Sequence, residues 1–386
     1  MKKFLAVLFF LVLMVTYVIS VPVYGIEAES LQSRSAILIN ADDGRVLFEK
    51  SSNDKMPPAS ITKIMLLLLI SEKMESGEVT LEQELTVSEY AAGMGGSQIY
   101  LEAYETQNVE SMLKAISMRS ANDASVAMAE FLYGSVEGCV KAMNDKAKEL
   151  GMSNTNFVNV TGLPEPEHLT TANDIAIMTK ELLKYNYVNE YLLTWMDSVY
   201  VGKEKDSEQV LVNTNRLINN YDGLLGGKTG FTNEAKYCLS ATARRNDTTL
   251  IAVVLGCDTT KIRFNEVQKL LNEGFANYKN LVFHKKGDSI ITSSVFCGKT
   301  DTFNVVSKEN VYYFTESNCK VEDFNLEYVI DKNLKAPLDK DVSIGKAILY
   351  KEGQVLGEYN LYPEKNVEKE GLIKFYLKNT LENIIK

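Results

Sequence analysis

The chain reads Pro57-Pro58-Ala59-Ser60-Ile61-Thr62-Lys63 and continues without a break into Ile64-Met65-Leu66-Leu67-Leu68-Leu69-Ile70. The two prolines end an extended segment and prevent a helix from starting earlier, so we expect a helix from about Ser60. Ser60 and Lys63 then lie one turn apart on the same face. The seven apolar residues that follow predict a helix buried on every side, and the run is too short to span a bilayer.

A lysine in the first turn of such a buried helix has unusual chemistry. Burial is expected to lower the pKa of Lys63 and so to favour its neutral amine form. A neutral amine beside a hydroxyl is a general base beside a nucleophile, which is Ser60 here. The alternative is that Ser60 caps the helix and Lys63 is a solvated lysine of its first turn. The Ser-x-x-Lys pattern is short, and other stretches must decide between the two interpretations.

A second stretch, Ser120-Ala121-Asn122-Asp123, interrupts two helical runs. Serine and asparagine compete for backbone hydrogen bonds, so this is either a turn capped by Ser120 or Asn122 or a loop that holds a hydroxyl and an amide in a cleft.

A third stretch, Lys228-Thr229-Gly230, opens a predicted strand. Gly227 and Gly230 leave the strand edge open to another backbone. Lys228 and Thr229 offer a charge and a hydroxyl that suit an extended peptide and its carboxylate. The alternative is a glycine-rich hairpin entry with a solvated lysine.

The composition excludes several classes of function. The formal net charge is -10 and basic clusters are absent, which argues against nucleic acid as a partner. Five scattered cysteines without a CxxC spacing indicate neither a disulfide framework nor a metal site. The chain has two histidines, His168 and His284, which offer few ligands for a catalytic zinc ion. His168 lies in a proline-containing loop and is interpreted as structural or substrate-lining rather than as a base. No cofactor is expected.

The chain divides into four predicted regions. Residues 1–25 are typical of a signal peptide, with Lys2-Lys3 before an apolar run, although an uncleaved anchor is the alternative. Residues 26–283 form the main domain. Within it we predict helices at 139–150, 173–185 and 259–279, and a mobile polar stretch at 196–222. Residues 284–363 contain six short β-like runs and predict a small all-β domain. Residues 364–386 predict an amphipathic tail helix on a membrane surface, or one docked on the β domain.

The three motifs in this order, in an exported chain, resemble the D-alanyl-D-alanine carboxypeptidases, the low-molecular-mass penicillin-binding proteins. The resemblance runs from about Arg34 to Lys279 and includes Gly96-Ser97-Gln98 and Asn213-Thr214-Asn215. It implies an α/β (α+β) fold, with a β-lactamase/transpeptidase-like catalytic domain that has an antiparallel sheet and flanking helices, plus the small all-β C-terminal domain. One departure is Leu225-Gly226-Gly227, where many members have a shorter Asp-Gly-x-Lys.

The resemblance also implies a role for each motif residue. Ser60 would be the acylated nucleophile, Lys63 its general base and Ser120 the relay of a proton to the leaving group. Asn122 would bind an amide of the substrate, and Lys228 and Thr229 would bind its terminal carboxylate. The substrate would also lie along Gly230 and Phe231. The backbone N–H groups of Ser60 and Phe231 would form an oxyanion hole.

The implied function is removal of the terminal D-alanine from peptidoglycan stem pentapeptides, with β-lactams as inhibitors, at the outer face of the cytoplasmic membrane or in the cell wall. One alternative is a β-lactamase, in which Glu165 or Glu167 would activate the deacylating water. Another is a membrane-attached, non-catalytic wall-binding protein. Endopeptidase or transpeptidase activity from the same site stays open.

Overall fold

The structure is a computed structural model that describes residues 27–371 and Ile373. The predicted signal peptide, residues 1–25, lies outside the described residues. The described chain divides into two compact units. The first runs to Ala243 and includes Ile251–Glu273, and the second contains Arg244–Leu250 and the chain from Gly274 onward.

A buried helix is the centre of the first unit. A 3-10 turn, Ala59–Thr62, leads directly into helix α1, Lys63–Glu75. Every residue of α1 from Lys63 to Ser71 is buried, which confirms the prediction from its continuous apolar run. The helix itself begins three residues later than expected, because the 3-10 turn carries Ser60.

Seven further α-helices follow within residues 27–371, and the predicted ones are present with small shifts at their ends. They are α2 (Glu89–Ala92), α3 (Val109–Lys114), α4 (Asn122–Tyr133), α5 (Val136–Glu149), α6 (Ala172–Leu182), α7 (Asn186–Leu193) and α8 (Thr260–Asn277). Thr171 caps α6 by accepting a hydrogen bond from the Asp174 N–H. Helix α1 packs against α6, and α6 packs against strand β1, Ser35–Asn40.

A five-stranded sheet has the order β2-β1-β9-β8-β7. Its other strands are β2 (Val46–Lys50), β7 (Leu224–Thr232), β8 (Lys236–Arg245) and β9 (Thr248–Cys257). The pairs β1/β2 and β7/β8 are antiparallel, and Lys228 of β7 lies opposite Ser240 of β8. Strand β7 is an edge strand, so one side of its backbone has no strand partner within this sheet.

Two small antiparallel sheets belong to the first unit. One pairs β3 (Glu84–Thr86) with β4 (Thr106–Asn108) across a connection that contains α2, and the other is a hairpin of β5 (Met196–Val201) and β6 (Ser207–Val212). The stretch at 196–222, which was predicted to be mobile, contains this hairpin and a 3-10 turn, Arg216–Asn219. Val199, Val201 and Leu211 are buried, so the hairpin has an apolar face, and its charged residues 203–206 form the turn.

The regular structure described in the second unit is mainly β. Strand β10 (Tyr278–His284) pairs with β13 (Val311–Glu316), and a five-stranded sheet has the order β11-β12-β16-β15-β14. The strands of that sheet are β11 (Ser289–Ser294), β12 (Thr302–Ser307), β14 (Asn325–Ile330), β15 (Gly345–Lys351) and β16 (Gln354–Pro363). All six predicted β runs are strands, and β10 is an additional one.

Two predicted boundaries need correction. Residues 278–283 were assigned to the main domain, but β10 pairs with β13, so the β-rich unit starts before residue 284. The tail helix was predicted from residue 364, but Val367 and Lys369 form β-bridges with Leu338 and Gly298. Residues 372 and 374–386, which hold most of the predicted tail, lie outside the described residues. Within the described part of the chain, no helix has the length and apolar character needed to cross a membrane.

Candidate active site

The nucleophile turn places Ser60 at the start of the buried helix. Ser60 is half-buried, and Ala59 before it has a positive φ of 48°. The N-cap residue of α1 is Thr62, without a side-chain capping bond, so Ser60 does not cap the helix. The capping interpretation is therefore wrong, and the serine hydroxyl has Lys63 as its partner instead.

Lys63 is fully buried and hydrogen-bonded on three sides. Its Nζ lies 3.3 Å from Ser60 Oγ, 2.8 Å from Asn122 Oδ1 and 2.6 Å from the Thr161 carbonyl oxygen. Burial lowers the pKa of Lys63 well below its ordinary value; Lys228 lowers it further, and Asp123 partly opposes the effect. The solvated-lysine interpretation is wrong, and the amine is held beside the serine in an environment that favours its neutral form.

Ser120 follows an unusual break between α3 and α4. Helix α3 continues into a π-helical turn, Ala115–Arg119, and Ser120 then has a left-handed φ of 63°. The N-cap of α4 is Ala121, without a side-chain capping bond, so Asn122 is not a cap. Ser120 is the C-cap of the preceding π-helical turn, through its backbone N–H, which donates to the Ala115 carbonyl. Such π-turns are frequent at functional sites. The loop interpretation fits: the break holds a hydroxyl and an amide at the cleft.

Lys228 forms a second serine–lysine pair. It is 1% exposed, and its Nζ donates to Ser120 Oγ at 2.8 Å and to the Thr229 carbonyl at 3.1 Å. Burial, together with the charge of Arg263, lowers the pKa of Lys228 to about 7. Lys228 is thus a buried lysine in an environment that disfavours its charged form.

Asn122 links the Ser60–Lys63 pair to the loop of residues 95–101. Its Nδ2 donates to the Gly95 carbonyl at 2.8 Å, and its backbone N–H donates to the Ser97 carbonyl. The neighbouring Asp123 carboxylate is fully buried and accepts from the backbone N–H groups of Ile99 and Leu101. These bonds fix the amide of Asn122 relative to Lys63.

The open edge of β7 borders the nucleophile turn. A Cβ added to Gly230 would lie 3.2 Å from the Ser60 nitrogen and 3.0 Å from the Pro58 carbonyl oxygen. The hydroxyl of Thr229 donates to Thr214 Oγ1 at 2.7 Å, and Phe231 is 48% exposed. The glycine is therefore required for the strand and the serine turn to approach each other.

Among the described residues there is no group of side chains able to hold a metal ion. The cysteines Cys139, Cys238 and Cys257 are buried free thiols.

Comparison with known proteins identifies the family. The family model for D-alanyl-D-alanine carboxypeptidase matches residues 23–259. The chain is 43% identical over 350 residues to the D-alanyl-D-alanine carboxypeptidase DacF of Bacillus subtilis (strain 168), covering 91% of this chain and 89% of that protein. The chain belongs to the D-alanyl-D-alanine carboxypeptidase family.

Two further comparisons support the same family and the same fold. The chain is 32% identical over 358 residues to DacC of Escherichia coli (strain K12), covering 90% of this chain and 87% of that protein. The crystal structure of penicillin binding protein 5 from Haemophilus influenzae has 26% sequence identity and a TM-score of 0.69, and covers 89% of this chain and 100% of that chain. The predicted family and fold class are confirmed, and the chain is a serine-type hydrolase.

The second unit of this carboxypeptidase family member also has a counterpart. A model described as Penicillin-binding protein 5, C-terminal domain, matches residues 278–369, a range that starts at β10. A model described as Citrate lyase ligase C-terminal domain matches residues 227–321. That range overlaps both other matches and begins inside β7, so it supports no functional argument.

Two residues around the site, Thr161 and Arg263, were missed by sequence reasoning. Thr161 acts through its backbone carbonyl, which has no sequence signal. Thr214, part of the Asn213-Thr214-Asn215 match, acts through its bond to Thr229. Arg263 is buried in α8 and donates to the Gly230 carbonyl at 3.1 Å. His168 is buried and both of its ring nitrogens are engaged, by Thr62 Oγ1 and by the Val158 N–H, which favours the structural interpretation.

Proposed function

We propose that the protein is a serine-type D-Ala-D-Ala carboxypeptidase that removes the terminal D-alanine from peptidoglycan stem pentapeptides through an acyl-enzyme on Ser60. The observation that carries this proposal is the buried amine of Lys63, held 3.3 Å from Ser60 Oγ. A hydroxyl nucleophile needs such a base, and no histidine occupies that position.

The three bonds of Lys63 suit a neutral base. A neutral amine has two hydrogens and one lone pair. The Asn122 Oδ1 and the Thr161 carbonyl are acceptors only, and they take the two hydrogens. The lone pair then faces Ser60 Oγ, which can give up its proton as it attacks the peptide carbonyl.

The oxyanion of the tetrahedral intermediate would be bound by the backbone N–H groups of Ser60 and Phe231. The close approach of β7 to the serine turn at Gly230 supports this role, because it brings the two peptide segments together. Preorganised backbone donors of this kind contribute about 3–4 kcal/mol to lowering a barrier.

Ser120 would relay a proton to the nitrogen of the leaving D-alanine. Lys228 donates to Ser120 Oγ, so the hydroxyl hydrogen of Ser120 is directed away from Lys228 and is available to another acceptor. Asn122 would hold the substrate amide with its second Nδ2 hydrogen, since the Gly95 carbonyl takes only one.

The terminal carboxylate of the substrate would bind to Lys228 and the hydroxyl of Thr229, with the peptide extended along β7. A carboxylate next to Lys228 would offset the burial that lowers its pKa and would keep it charged. This requirement for a free carboxylate is what would make the enzyme a carboxypeptidase. A β-lactam, which also carries a carboxylate next to its reactive amide, would bind in the same way and acylate Ser60.

We also propose that the protein acts outside the cytoplasm, at the membrane surface or in the cell wall. The support is the sequence of residues 1–25, which is typical of a signal peptide, and of the amphipathic tail predicted within residues 364–386. Under this proposal residues 26–277 are the catalytic domain, and the β-rich unit follows it.

The test is to incubate the purified full chain with a D-Ala-D-Ala pentapeptide and, separately, with a labelled penicillin. We expect release of free D-alanine, a long-lived penicillin adduct, and loss of both in Ser60→Ala. Rapid turnover of penicillin without D-alanine release would instead establish a β-lactamase. Peptidoglycan binding by wild type and Ser60→Ala alike, without either reaction, would establish a wall-binding protein.

A further inference from the structure

His168 lies beneath the nucleophile turn with both ring nitrogens engaged. Its Nδ1 accepts from the backbone N–H of Val158 at 2.9 Å, and its Nε2 lies 2.8 Å from Thr62 Oγ1. Because Nδ1 is an acceptor, a neutral ring must carry its hydrogen on Nε2. His168 therefore donates to the hydroxyl of Thr62.

The hydrogen-bond chain continues into the backbone at the nucleophile. Thr62 Oγ1 donates its own hydrogen to the Ala59 carbonyl at 2.8 Å. The Ala59 carbonyl and the Ser60 N–H belong to one planar peptide and point in opposite directions. Fixing this carbonyl therefore sets the direction of the Ser60 N–H.

That peptide needs an external restraint. Ala59 has a φ of +48°, a conformation that an alanine rarely adopts unless its surroundings impose it. Gly162 packs against the same peptide so closely that an added Cβ would lie 1.9 Å from the Ala59 oxygen. Packing limits where the peptide can lie, and the bond from Thr62 selects its orientation.

We propose that His168 is a positioning residue that aims the oxyanion-hole N–H of Ser60, acting through the side chain of Thr62. The inference rests on the proposed function, because it assigns a target to that N–H. A donor that binds the developing oxyanion acts mainly on the transition state, so its misalignment lowers kcat and leaves KM nearly unchanged.

The decisive comparison is Thr62→Val against Thr62→Ser. Valine keeps the shape of threonine but removes the hydroxyl, whereas serine keeps the hydroxyl. We measure kcat and KM for D-alanine release per active site, counting sites by prolonged labelling with penicillin, together with the melting temperature of each variant. Thr62→Val should lower kcat about tenfold or more at unchanged KM, since loss of one oxyanion donor costs about 10²–10³-fold. Thr62→Ser should stay within about threefold of wild type.

A second pair of variants, at His168, tests the inference even if Thr62→Val fails to fold. His168→Gln places an amide donor near the position of Nε2, and His168→Ala removes it, so the glutamine variant should keep more of kcat. Equal kcat per site for Thr62→Val and Thr62→Ser, or for His168→Gln and His168→Ala, would overturn the inference. A wild-type protein that neither releases D-alanine nor binds penicillin covalently would instead refute the proposed function.

Discussion

Gly162 offers a direct test of how the loop at residues 153–170 supports the nucleophile. It has a φ of +83°, and an added Cβ would lie 1.9 Å from the Ala59 oxygen and 2.9 Å from the Ser60 nitrogen. Gly151 has nearly the same φ, +77°, but an added Cβ would meet nothing within 4 Å. Gly162→Ala and Gly151→Ala therefore both place an alanine in the left-handed backbone conformation, with a similar loss of stability. Only Gly162→Ala also brings a methyl group against the nucleophile turn.

The magnitudes follow from that difference. Both variants should lose about 1–2 kcal/mol for the left-handed residue. Gly162→Ala must also move the Ala59–Ser60 peptide by roughly 1 Å, and we expect a total loss of about 4 kcal/mol, which is exceptional for one substitution. A displacement of this size at a reacting group costs on the order of 10²-fold in rate.

The assay combines urea unfolding with the rate of penicillin acylation per folded molecule. Gly151→Ala should acylate at the wild-type rate, and Gly162→Ala about a hundredfold more slowly. If the two alanine variants matched each other in both stability and rate, the reasoning about the loop contact would be refuted.

Three further predictions concern pH and recognition. The acylation rate should rise with pH through an inflection well below 10.5, because burial lowers the pKa of Lys63 and only the neutral amine accepts a proton; an inflection near 10.5 would contradict this. Lys228→Gln should reduce the preference for a peptide with a free carboxylate over its C-terminal amide by about thirtyfold, as measured by kcat/KM, and an unchanged preference would exclude Lys228 from carboxylate binding. Burial lowers the pKa of His168 from 6.5 to about 4, so between these values the unfolded chain binds a proton that the folded protein excludes. The contribution, roughly 3 kcal/mol, is fully present above pH 6.5 and is lost as the pH falls toward 4. The drop in unfolding free energy from pH 7 to pH 5 should be smaller in His168→Gln, and an equal drop would show that another group titrates.

The parts of the site that could be predicted are those fixed by local sequence. A continuous apolar run predicts a buried element, and the two prolines before it favour a helix that starts near Ser60, so the burial of Lys63 beside Ser60 could be predicted. Lys228 could be placed on a strand because glycines and a β-rich run surround it. Its depth could not be predicted, since its burial depends on tertiary packing, including the approach of Ser120, which accepts a hydrogen bond from its Nζ.

The parts that could not be predicted depend on the backbone or on distant pairing. The carbonyl of Thr161 carries no sequence signal, because every residue has one. The left-handed turn at Ser120 follows a π-helical segment that apolar periodicity does not reveal. The β5–β6 hairpin was missed because its charged turn concealed a short alternating pattern. Strand β10 was missed because its partner, β13, is distant in the sequence.

The central claim is that Ser60 is the acylated nucleophile and that a lysine replaces the usual histidine as its base. The most direct measurement is to stop the reaction of the full chain with penicillin by acid, digest the protein, and locate the adduct by mass spectrometry. We predict one acyl group, on Ser60, in wild type, and none in either Ser60→Ala or Lys63→Met. An adduct on Ser120, or full labelling of Lys63→Met at the wild-type rate, would contradict the account.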